Sequence, residues 1–67
     1  MNAEQLSILN ASVERLRVDA CKLHEYLSEM LFADTSSEAI KVRTSLHNAI
    51  SHCNETLRGL KELSNGS

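Results

Sequence analysis

The stretch LSILNASVERLRVDACKLHEYLSEM, residues 6–30, alternates steps of three and four between apolar side chains: Leu6, Leu9, Val13, Leu16, Ala20, Leu23, Leu27 and Met30. Both apolar positions of the heptad are filled through four consecutive repeats. Such a helix is marginal alone in water, because its hydrogen bonds barely offset the entropy of ordering the chain. Its stripe has to be covered by another helix. The stretch therefore predicts an all-α architecture and a need for partners, and it carries no catalytic chemistry.

Working outward, Asn2 can cap the start of this helix, with Gln5 three residues on to complete a capping box. The periodicity predicts a helix over about 3–33. Asp34-Thr35-Ser36-Ser37 then offers four side chains that compete for backbone hydrogen bonds, and the turn is expected over 34–37. Thr35 with Glu38 makes the expected capping box of a second helix. The alternative is one straight helix of about 60 residues, since neither Gly nor Pro forces the break. The second helix is expected over about 36–64, stopping before Asn65-Gly66. Its stripe is broader: Ala39, Val42, Leu46, Ala49, Cys53, Thr56 and Leu60, widened by Ile40, Ile50, Leu57 and Leu63.

Helices of similar length joined by a short turn fold back antiparallel. The expectation is one domain, 1–67, an antiparallel two-helix hairpin. Two such helices leave an apolar side uncovered, and pairing two hairpins into a four-helix bundle covers it. The residues expected in this shared seam are the eight of the opening stretch together with Val42, Leu46, Ala49, Ile50, Cys53, Leu57 and Leu60.

Composition narrows the function. The chain has 67 residues, with seven basic against nine acidic ones and a net charge of -2. That balance lacks the basic stripe of a protein built to grip phosphate backbones, and nucleic acid is not the expected partner. Tyr26 and Phe32 are the only aromatic residues, and no Trp is present, so a monomeric core would be thin and oligomerisation is the expected remedy. The residues after Met1 show no basic region leading into a long apolar run, and no stretch reaches the roughly 20 apolar residues that span a bilayer. A cytoplasmic protein with no membrane partner is expected.

Cys21, His24, His47, His52 and Cys53 are the soft metal ligands other than methionine. An antiparallel fold would leave the two cysteines about five residues out of register, roughly 7 Å along the axis, so free thiols and no metal are expected. No Gly-rich phosphate loop, nucleophile elbow or HExxH run is present. The expectation is a non-enzyme without a cofactor.

Two surfaces remain for partners. Thr44 to Asn54 holds no Asp, Glu, Lys or Arg, as the centre of an interface would. A His47 or His52 buried there would make association weaken as pH falls. Outside the opening stripe, Val18 and Cys21 lie on the opposite face of the first helix, and Tyr26, Leu31 and Phe32 gather near the turn. These five are the candidate partner-binding residues, with Tyr26 foremost. Gly59, inside the second helix, is expected where another segment crosses closely, the alternative being that the last turn frays. Arg15–Asp19, Asp19–Lys22, Glu38–Lys41 and Arg58–Glu62 have the spacing of supporting ion pairs.

In plan the chain resembles the Rop family of plasmid-encoded helical hairpins, and Ser45-Leu46-His47 is similar to that family's serine-leucine-histidine run. The resemblance implies a dimeric four-helix bundle that binds paired RNA loops. In size and plan the chain is also similar to small phage-encoded proteins that inactivate a host regulator, including those directed against quorum sensing. That likeness implies a protein-binding inhibitor or adaptor, with a transcriptional regulator as the partner class. The acidic charge balance and the leftover apolar surface favour the second implication, and a pure oligomerisation scaffold is the remaining alternative.

Overall fold

A computed structural model describes residues 1–66: two α-helices, α1 (Ala3–Met30) and α2 (Ser37–Gly66), folded back on each other. The chain is an all-α antiparallel hairpin, and the continuous 60-residue helix does not form. Asn2 opens α1 as the sequence suggests. Its side chain accepts the Gln5 backbone N–H at 2.8 Å, and the Gln5 side chain accepts the Asn2 N–H at 3.1 Å.

The turn differs in detail from the sequence reading. Helix α1 ends at Met30, three residues before the expected 33. Leu31 leaves helical geometry with ψ of 15°, and the Asp34 N–H donates to the Leu31 carbonyl at 3.0 Å. Ser36, not Thr35, caps α2: its hydroxyl oxygen accepts the Ala39 N–H at 3.2 Å, and its carbonyl accepts the first helical bond from Ile40 at 3.1 Å. With the cap at 36, the third helical residue is Ala39, which has no side-chain acceptor, so the Thr35–Glu38 box is replaced. Asp34 supplies the second acceptor instead, taking the Ser36 N–H at 2.9 Å. Hydrogen bonds from the Ser36 backbone and then its hydroxyl hold the Asp34 carboxyl below the usual carboxylate range. Arg43, nearly two turns into α2, reaches back to donate to the Asp34 carbonyl at 3.1 Å, which ties the turn to the helix. Helix α2 runs through Gly66 with no glycine in the left-handed region, so Asn65-Gly66 does not stop it within the described residues.

The helices meet along one narrow seam. Each contributes two rows of residues seven apart, which lie almost above one another because seven residues make nearly two turns. From α1 come Leu6, Val13, Ala20 and Leu27, then Arg17 and His24, with Leu31 just past its end; from α2 come Ala39, Leu46, Cys53 and Leu60, then Arg43, Ile50 and Leu57. Among these, Leu6, Ala39 and Cys53 are buried and the others are half-buried. The His24 and His47 rings, with centroids 6.3 Å apart, fix the level at which the helices pass. The result is a rod with extents of 48 × 16 × 12 Å and a radius of gyration of 15.3 Å. A globular chain of this length would have about 11 Å. No helix among the described residues is long and apolar enough to cross a membrane.

Candidate interaction surface

The eight residues of the opening stretch divide into two rows. Leu6, Val13, Ala20 and Leu27 face α2, whereas Leu9, Leu16, Leu23 and Met30 are turned away from it and are 40, 62, 51 and 73% exposed. Three residues turn a helix by about 300°, so the second row stands about 60° to one side of the first. Helix α2 repeats the arrangement. Val42, Ala49, Thr56 and Leu63 follow the same spacing of seven and are likewise exposed.

The two exposed rows open onto the same side of the hairpin. Leu23 and Leu27 of α1 line one hollow with Val42, Leu46 and Ala49 of α2, and Lys41 and Ser45 form its edge. Its floor and walls are apolar. A second hollow, near the free ends of the helices, is lined by Leu6, Leu57 and Leu60 together with Asn10, Glu14, Arg58 and Lys61.

The exposed area shows how much remains uncovered. The chain presents 5236 Å² to solvent, against about 4200 Å² for a compact globular chain of its mass. The excess is of the order that one partner contributes to a standard protein–protein interface, about 800 Å².

The other candidate residues scatter. Val18 is exposed on the outer side of α1, and Tyr26 is 62% exposed between Lys22, Glu25 and Glu29, so its ring stands among charges and not in an apolar patch. Leu31 and Cys21 are half-buried, while Phe32, at the tip of the turn, is 86% exposed. The uncharged band Thr44–Asn54 winds through three turns and so divides among faces. Ile50 and Cys53 meet α1, Ala49 enters the groove, and His47 and His52 are exposed. His52 has only Glu55, at 3.9 Å, as an ion-pair contact.

Arg17 lies in the hairpin seam, held by Glu14 through contacts of 3.1 and 3.3 Å. That hydrogen bond, followed by the carboxylate's charge, raises the guanidinium pKa, and Cys21 and Cys53 both lie near enough to act on it. Both thiols are free. Among the described residues no three His, Cys, Asp or Glu side chains converge as metal ligands. The four ion pairs suggested by spacing do not close; Glu14–Arg17 forms in their place. A Cβ at Gly59 would meet nothing within 4 Å, so no segment crosses there and the expected close approach is absent.

No family model, curated protein or solved structure matches the chain. The likeness to Rop-type proteins therefore stands at the level of the two-helix hairpin alone.

Proposed function

We propose that this protein is a non-enzymatic interaction module that works as a homodimer, two hairpins closing over their grooves into a four-helix bundle. The observation that carries the reading is the apolar groove that Leu23 and Leu27 of α1 form with Val42, Leu46 and Ala49 of α2, in line with the exposed row Leu9, Leu16, Leu23 and Met30. Isolated apolar residues on a surface need no explanation, but an apolar groove walled by two helices and prolonged by such a row marks an interaction site. The dimer in turn engages another protein, as an inhibitor or adaptor for a regulatory protein, with exposed Phe32, Tyr26 and Val18 as its contact residues. Binding to RNA has less support. Arg17 is committed to Glu14 in the seam, and a net charge of -2 leaves no broad basic face.

Analytical ultracentrifugation tests the dimer. The wild type is expected to sediment as a dimer at about 100 µM, and Leu16→Asp, which places a charge in the groove, as a monomer. A wild-type monomer at that concentration would overturn the reading. For the onward partner, a regulatory protein captured from native lysate should be lost with Phe32→Ala in a variant that still dimerises. Capture that fades steeply with added salt would instead favour nucleic acid.

A further inference from the structure

We propose that the second copy seats with its turn at the same end of the bundle, so that α1 of each hairpin packs against α2 of the other. The inference rests on the homodimer reading above. Two arrangements of a symmetric pair can close the groove. A twofold axis along the rod places both turns at one end and sets α1 beside the partner's α2. A twofold axis across the rod places the turns at opposite ends and sets α1 beside the partner's α1.

An axis along the rod leaves heights unchanged. The partner's α2 then meets α1 at the level that α2 of the same chain does, the level marked by His24 beside His47. At that level Leu16 comes opposite the partner's Thr56 and Leu23 opposite the partner's Ala49. A row of long side chains meets one that is small in its middle, and the layers keep an even thickness. With the axis across the rod at the height midway between Leu16 and Leu23, Leu16 meets the partner's Leu23 while Ala49 meets the partner's Thr56. The bundle is then overfilled on one side and hollow on the other.

The rims favour the same choice. With the turns together, Arg15 stands level with the partner's Glu55, and Glu29 with the partner's Lys41. All of these residues are exposed in the single hairpin. In the crossed arrangement with its axis at that same height, Asp19 approaches the partner's Asp19, and Arg15 the partner's Lys22. Opposite charges along a rim select register and orientation, and like charges exclude the alternative.

Spin labels on Thr35→Cys, in a Cys21→Ser, Cys53→Ala background, read the arrangement directly. Turns at one end place the labels within about 25 Å of each other, the width of a bundle plus the label arms. Turns at opposite ends separate them by nearly the rod length of 48 Å. The long distance in a dimer overturns this arrangement and leaves the homodimer standing; a monomer overturns both. A charge swap in the otherwise native chain gives an independent reading. Arg15→Glu should weaken dimerisation about threefold, and adding Glu55→Arg should restore it. A double variant no tighter than Arg15→Glu alone would overturn the arrangement.

Discussion

At Gly59 a methyl group would meet nothing within 4 Å, and the residue lies well inside α2. Gly59→Ala therefore removes backbone freedom from the unfolded chain without a clash in the folded one. It should stabilise the protein by about 1 kcal/mol, read as a higher urea midpoint by circular dichroism. A lowered midpoint would mean that another chain packs against this side. At the turn, Asp34 has its carboxyl pKa depressed by the Ser36 hydrogen bonds. A depressed folded-state pKa adds stability above the unfolded value, and that stability is lost as pH falls through the lower folded one. The urea midpoint of the wild type should therefore drop between about pH 4 and pH 2 by more than that of Asp34→Ala. Equal drops would show that the cap does not depend on the carboxylate.

At the scale of the elements, the start of α2 rests on one hydroxyl. Ser36→Ala should cost about 1 kcal/mol by urea denaturation, whereas Thr35→Ala should cost little. The reverse order would move the cap back to the position that local pattern alone suggests. Asp34, Thr35, Ser36 and Ser37 can all cap, so the pattern locates the break without choosing the cap. The Asp34 carbonyl is bonded by Arg43, nine residues away, a contact outside any local window. The helices themselves were legible, because the steps of three and four on either side of the break have no other regular solution. Which row would face the neighbour was not. A stripe of two rows is equally consistent with either row in the hairpin seam, and the direction in which the turn leads the chain decides between them. For the same reason the candidate site was only partly legible: Val18, Tyr26 and Phe32 are exposed but scattered, and the groove appears only once both helices are in place.

For the whole molecule, the two rows assign different tasks to residues of the same kind. Leu6 is buried between the helices and Leu16 is 62% exposed. Leu6→Asp should cost upwards of about 3 kcal/mol and remove the hairpin itself, seen as loss of helical circular dichroism. Leu16→Asp should act first on association. If the two variants behaved alike at every concentration, the division into rows would fail. The seam also bears on supply. Only Leu6, Ala39 and Cys53 are buried among the described residues, too little to hold a rod of this length together alone. Folding is then tied to mass action, and the thermal midpoint should climb as the protein is concentrated. In a cell the amount synthesised would act as a threshold: sparse chains would open and be degraded, and the working form would accumulate only once production outran that loss.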